Sequence, residues 1–288
     1  MAVALRQRMI TKMKLRHYSA RTINAYVDSV QALVNHYNGL PPGRITNSMI
    51  QDYLLHRIEK DCVSWNTCHR DMYGISYLYS NLFKRDVSDF FIPGRKTVKI
   101  LPKPLSREQI KRLFKVTSNL KHRTILMTIY GTGVRAEEAA HLKIRDIERD
   151  RGLLRIEQGK GNKDRYTILP KNLVFQLINY YRVYKPQFWL FSGRDQNKPI
   201  PVGSIQKLFY NAKRKAGIIA ACGVHSLRHS FATHMNEQGC DLSSIQMFLG
   251  HRFLRTTENY IHVSVNHLKQ IPSPLDLIQL DQLNPKAR

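Results

Sequence analysis

The sequence predicts a mainly helical protein with one small β-sheet, an α+β fold divided between two domains. Three observations carry that prediction. Apolar residues recur at three- and four-residue spacings over most of the 288 residues, the mark of amphipathic helices. A single segment, Gly152 to Pro170, gives up that period for two short apolar runs around a glycine-rich centre, as a hairpin does. Upstream of it, Ile92 to Pro104 holds three prolines, one glycine and Arg95, Lys96, Lys99 and Lys103 without an acidic residue, a composition suited to a linker.

The first amphipathic run extends from Ser19 to Tyr37, with Ile23, Tyr26, Val27, Val30, Leu33 and Val34 on one face and Ser19 placed to cap the first turn. Gly39-Leu40-Pro41-Pro42-Gly43 interrupts the chain before a second run, Ser48 to Ile58, and a third follows from Trp65 to Phe83 through Met72, Ile75, Leu78, Tyr79 and Leu82. Residues 1–91 are therefore expected to form an all-helical domain and 92–104 a basic linker. The next domain, 105–272, opens at Ser106, whose hydroxyl can cap a helix while Gln109 reaches back. A helix through Leu126 and Ile129 precedes the hairpin, in which Leu153, Leu154 and Ile156 on one side and Tyr166, Ile168 and Leu169 on the other bracket Gln158-Gly159-Lys160-Gly161-Asn162-Lys163. Helical spacing returns after Leu173, including Ser204 to Lys215, Ser226 to Gln238 and Ser243 to Leu249. The tail, 273–288, carries Leu275, Leu277, Ile278, Leu280 and Leu283 and reads as one short adhesive helix.

Lysine and arginine number 46 against 21 acidic residues, a formal net charge of +25. That imbalance calls for a polyanionic partner. The cations are spread along the chain instead of gathering beside an amphipathic helix or lipidation signal, which favours nucleic acid over a membrane surface. No run approaches the length of a membrane span, and Met1 to Leu15 is too interrupted by arginine and lysine for a secretory leader, so a soluble, cytoplasmic protein is expected. An apolar content of 42% argues against wholesale disorder. Cysteines at 62, 68, 222 and 240 form no C-x-x-C pair and are expected to be reduced, mostly structural thiols.

Three local groups stand out: Gly131-Thr132-Gly133-Val134-Arg135-Ala136-Glu137-Glu138, then His225-Ser226-Leu227-Arg228-His229, then Leu249-Gly250-His251 with Tyr260 nine residues on. Singly, each has a bland reading. An arginine after a glycine turn is usually a solvated cap or surface ion pair, and a histidine or tyrosine on a helix is usually structural. In combination, Arg135, Lys160, His225-x-x-Arg228, His251 and Tyr260, with Thr132-Gly133-x-Arg135-x-x-Glu138 and Thr256-Thr257-x-x-Tyr260, resemble the tyrosine recombinase (phage integrase) family over Leu105 to Val263. The N-terminal region is similar more loosely, through Ser19-x-x-Thr22-x-x-x-Tyr26, and the overall size resembles compact Xer-type and mobile-element integrases.

The resemblance implies a SAM-like helical core-binding domain, a DNA breaking-rejoining catalytic domain, and site-specific recombination or integration through a covalent 3′-phosphotyrosyl intermediate. It implies Tyr260 as nucleophile, His225 as its base, Lys160 as general acid with Lys163 the less favoured substitute, and His251 as a hydrogen-bond donor to the phosphate. The residues can carry such chemistry. Two guanidinium groups, Arg135 and Arg228, suit the nonbridging oxygens of a phosphodiester by planar donation, and Glu138 would orient Arg135 or nearby backbone. Arg95, Lys96, Lys99, Lys103 and Lys163 are expected to meet the DNA backbone. The phosphotyrosyl link conserves the energy of the cut bond, so no metal, nucleotide or other cofactor is called for. Family members assemble as homotetramers on paired duplex sites through a Holliday junction, some with a second recombinase or an accessory DNA-bending protein, and the tail would dock on a neighbouring protomer.

Other readings are weaker. A phosphate-binding NTPase loop would need Ser or Thr after Lys160 and a glycine five positions before Gly159. A metal hydrolase built on His225 and His229 lacks the glutamate that would follow the first histidine, since Ser226 stands there. A type IB topoisomerase-like relaxing enzyme and a catalytically inactive DNA-binding protein on the same fold remain alternatives; the full set of six positions argues against the latter, and the linker and tail against the former.

Overall fold

The structure, a computed structural model, describes residues 1–88, 104–157 and 164–250. The chain forms two compact units, Met1–Lys99 and Ile100–Arg288. Among the described residues no helix is long and apolar enough to cross a membrane.

The first unit is helical: α1 (Val3–Leu15), α2 (Ala20–His36), α3 (Asn47–Glu59) and α4 (Trp65–Leu78). Three of the starts are set by hydroxyl caps, Ser19 accepting from Thr22 N, Thr46 from Met49 N and Ser64 from Thr67 N, each satisfying an amide that the first turn leaves unpaired. Val27, Val30 and Leu33 of α2 pack with Leu54 of α3 and Ile75 and Leu78 of α4 in one core. The run expected to be helical to Phe83 changes its winding at Tyr79, where a π-helical turn spans Tyr79–Phe83 and ends on Lys84 at φ 57°. Tyr79 is fully buried and donates its hydroxyl to Pro42 O at 2.8 Å, and Arg85 reaches the carbonyls of Ile45 and Gly43. These anchors draw the chain off the α-helical path. Helix α1 is an addition to the sequence reading; its alternating cations hide an apolar face that fully buries only Met9 and Met13.

The second unit is mixed. Helix α5 (Arg107–Val116) begins with the expected capping box of Ser106 and Gln109. Helix α6 (Leu120–Thr132) follows, then α7 (Ala136–Ala140). Thr124, Thr128 and Thr132 are buried on α6, and each hydroxyl donates to the carbonyl four residues earlier, so polar residues sit in the core without an unmet donor. Strands β1 (Ile147–Glu148), β2 (Leu153–Ile156) and β3 (Arg165–Ile168) form an antiparallel sheet in the order β1-β2-β3. The β2–β3 register runs from Leu153↔Ile168 to Ile156↔Arg165, and their connecting turn lies outside the described residues. The sequence showed two strands; β1, two residues long, is too short to leave a period.

Helices α8 (Lys171–Tyr184), α9 (Val202–Lys215), α10 (His225–Glu237) and α11 (Leu242–Leu249) complete the described chain. Leu126 and Ile129 of α6, Leu154 of β2, Leu173 of α8, Phe209 of α9 and Leu227 of α10 share the main core. A smaller cluster, Phe231, Ala232, Ile245 and Leu249, joins α10 to α11. Cys62 is exposed, Cys68 buried, and Cys222 and Cys240 partly buried, all as free thiols.

Candidate active site

The site begins where α6 ends. Gly133 closes that helix at φ +67°, and a Cβ there would lie 2.4 Å from the Phe231 ring, so both the left-handed conformation and the close packing demand glycine. Thr167 of β3 donates to Thr132 O at 2.7 Å, tying the sheet to the same turn. The chain then leaves Arg135 as the N-cap of α7, with Glu138 one turn on.

Glu138 is the hub. It accepts from Arg135 N at 2.7 Å and Arg135 Nη1 at 2.8 Å. It also accepts from Arg165 Nη1 at 2.9 Å and Nη2 at 2.7 Å, a bidentate pair, and Arg228 Nη1 stands 3.8 Å from its Oε2. Burial pushes the carboxyl pKa up, but the hydrogen bonds and charge of Arg165, followed by the backbone amide and charge of Arg135, outweigh it and hold the pKa at about 2. One carboxylate thus gathers three guanidinium groups.

Arg228 comes from the first turn of α10 and its side chain is 1% exposed. Nη1 donates to Gly133 O at 2.7 Å and Nη2 to Leu249 O at 2.6 Å. It therefore stands beside Arg135 at Glu138 while bracing the α6–α7 turn against the end of α11. The two arginines differ in exposure: Arg135 is a quarter exposed, whereas Arg228 is enclosed.

His225 is the first residue of α10, where a helix favours a negative over a positive charge. The residue is exposed, yet partial desolvation by the surrounding protein, then the charges of Arg228 and Arg135, lower its pKa from 6.5, with Glu138 opposing. The shift favours the neutral imidazole, the form able to take a proton. His229 packs edge-on against it at 4.6 Å between ring centres, and burial followed by the charges of His225 and Arg228 lowers its pKa to about 4. His234 lies within hydrogen-bond distance of the Tyr130 hydroxyl, 2.9 Å through Nδ1. Among the described residues no cluster of three or more His, Cys, Asp or Glu side chains is arranged for a metal ion.

Arg135, Glu138, His225 and Arg228 are thus drawn together from sequence positions up to 93 residues apart. Lys160, Lys163, His251, Tyr260 and the linker cations Arg95, Lys96, Lys99 and Lys103 lie outside the described residues. Arg165 was missed by the sequence reading. Its signal was the strand period, which sets it on the same face as the buried Thr167, where a cation requires an acidic partner.

Residues 103–267 match the model of the phage integrase family, and residues 5–89 that of the phage integrase N-terminal SAM-like domain. The predicted integrase/recombinase y4qK of Sinorhizobium fredii is 34% identical over 275 residues, spanning 95% of this chain and 89% of that protein. The tyrosine recombinase XerC of Lactobacillus leichmannii is 31% identical over 274 residues, covering 88% of this chain and 92% of its own length. Among solved structures, a lambda integrase tetramer bound to a Holliday junction superposes with a TM-score of 0.70 at 17% identity, covering 89% of this chain and 76% of that one.

Proposed function

Because this chain belongs to the phage integrase family, we propose that it is a site-specific DNA recombinase that cuts and rejoins double-stranded DNA through a covalent 3′-phosphotyrosyl intermediate. The observation that carries the reading is the gathering of Arg135, Arg165 and Arg228 on Glu138, with His225 alongside in surroundings that favour its neutral form. Three cations against one carboxylate leave a local excess of positive charge in a partly buried setting. Such a site suits a phosphodiester gaining charge as it becomes five-coordinate.

In this mechanism the Tyr260 oxygen attacks phosphorus, passing its proton to His225. The bond from phosphorus to the 5′ oxygen breaks, that oxygen takes a proton from Lys160, and the 3′ phosphate stays on the tyrosine. Rejoining reverses each transfer on a new strand, so no external energy source enters. Arg135 and Arg228 neutralise the phosphate, and His251 donates a hydrogen bond to it. Residues 1–91 serve as core-binding domain, 92–104 as a basic linker on the DNA backbone, 105–272 as catalytic domain and 273–288 as a protomer-docking tail. The assembly is a homotetramer on paired sites, acting in the cytoplasm and open to a second recombinase or a DNA-bending protein.

The test is covalent capture. Wild-type protein incubated with genomic DNA of its host is expected to leave protein-linked ends that map to a defined site, and Tyr260→Phe to leave none while binding the same duplex with unchanged affinity. Adducts from Tyr260→Phe would assign the nucleophile elsewhere; their absence from wild type would remove the recombinase reading.

A further inference from the structure

Arg165 opens β3 and pairs with Ile156 in the last step of the β2–β3 ladder. Its side chain is 10% exposed. Nη1 and Nη2 donate to the two oxygens of Glu138, and Nε donates to Phe248 O at 3.1 Å. Glu138 in turn holds Arg135, while Phe248 lies three residues before His251. Gly250 adopts φ +61°, and a Cβ there would stand 2.6 Å from Arg165 Cδ. The arginine stem is therefore packed on the backbone that leads into His251. Across the ladder Glu157 receives Lys143, Arg145 and Arg155, so both strands are anchored where they enter the connection bearing Lys160.

We infer that Arg165 is a positioning residue for strand cleavage: its single planar fork holds Glu138, and through it Arg135, in register with the end of α11 and with the base of the β2–β3 connection. The inference rests on the recombinase reading above. All three nitrogens named here point at protein acceptors, so the residue acts on rate and not on DNA affinity. Lysine would keep the charge but lose the fixed fork that reaches two carboxylate oxygens and a carbonyl together.

The test uses the full-length protein and the duplex site recovered by covalent capture. Arg165→Lys is expected to slow single-turnover adduct formation about 10- to 100-fold, the usual effect of removing a group that orients a catalytic one. Affinity for that duplex should stay within about twofold. Joined to Glu138→Gln it should be no slower than the slower single variant, because both cut the same link. A wild-type adduct rate, an affinity loss as large as the rate loss, or multiplicative slowing in the double variant would each overturn the inference. Hydrogen exchange on the DNA-free protein judges it separately. Arg165→Lys should speed exchange in peptides covering 133–140 and 245–250 and leave 1–88 unchanged; unaltered exchange in both catalytic-unit peptides overturns the positioning role. Faster exchange there, with no adduct from wild type on any DNA, would instead locate the failure in the recombinase reading.

Discussion

Replacing Glu138 by glutamine removes one charge and almost no volume, and its cost follows from the geometry. The carboxylate is 9% exposed and bonded to Arg135 and Arg165, with Arg228 close by. Held at about 2 instead of 4.5, its ionisation is coupled to the folded state by on the order of 3 kcal/mol. The folded pKa lies below the unfolded one, so that contribution is complete above pH 4.5 and disappears as pH falls through about 2. Glutamine leaves the enclosed guanidinium groups without a counter-charge, and stripping one partner from a buried pair costs about 3–5 kcal/mol. The chain has two tryptophans, Trp65 in the first unit and Trp189 in the second. Urea unfolding followed at Trp189 in a Trp65→Phe background therefore reports the catalytic unit. At pH 7, Glu138→Gln should lower its stability by about 3–5 kcal/mol, and the gap to the parent should narrow below pH 4.5 as the carboxylate protonates in the parent's unfolded chain. A gap under about 1 kcal/mol at pH 7, the scale of an exposed ion pair, or one that stays constant from pH 7 to 3, would refute the buried-hub account.

Two further predictions concern protons. With His225 held below 6.5 by its surroundings and by Arg228 and Arg135, adduct formation should be flat between pH 7 and 8 and decline only below 6.5, and a rate that climbs on acidification would exclude His225 as the base. Lys160→Ala should be slowed roughly 10²- to 10⁴-fold on ordinary DNA yet approach the wild-type rate when the bridging 5′ oxygen is replaced by sulfur, whose departure needs no proton; rescue of Lys163→Ala instead would transfer the role of acid.

Much of the fold was written in local chemistry. Ser19 caps α2 and the Ser106–Gln109 box opens α5, because a cap is a contact between near neighbours that sequence spacing displays directly. The break at Tyr79 was not legible: it depends on where Pro42 presents its carbonyl, 37 residues upstream. The site divides in the same way. Glu138 and Arg135 meet one helical turn apart, whereas Arg165 reaches Glu138 across 27 residues and Phe248 across 83, distances over which no periodicity speaks. The enclosure of Arg228 was equally hidden, since an arginine on a helix gives no sign that two carbonyls from separate turns will receive it.

That enclosure bears on how the site works. A guanidinium taken out of water during folding and held by Gly133 O and Leu249 O needs no further desolvation or reorientation when DNA arrives. Its charge is in place before the phosphate is, which is the condition for electrostatic stabilisation without reorganisation at the moment of reaction. The two carbonyls also give Arg228 mechanical reach. Gly133 lies two residues before Arg135, and Leu249 precedes Gly250-His251, so this one side chain ties together two chain segments that the proposed mechanism draws on. Arg165 clasps the same segments from the other side, through Glu138 and Phe248 O. The buried Arg228 and the nearly buried Arg165 thus hold the partly exposed Arg135 in place, and in the proposed mechanism Arg135 is the more accessible of the two arginines that neutralise the phosphate.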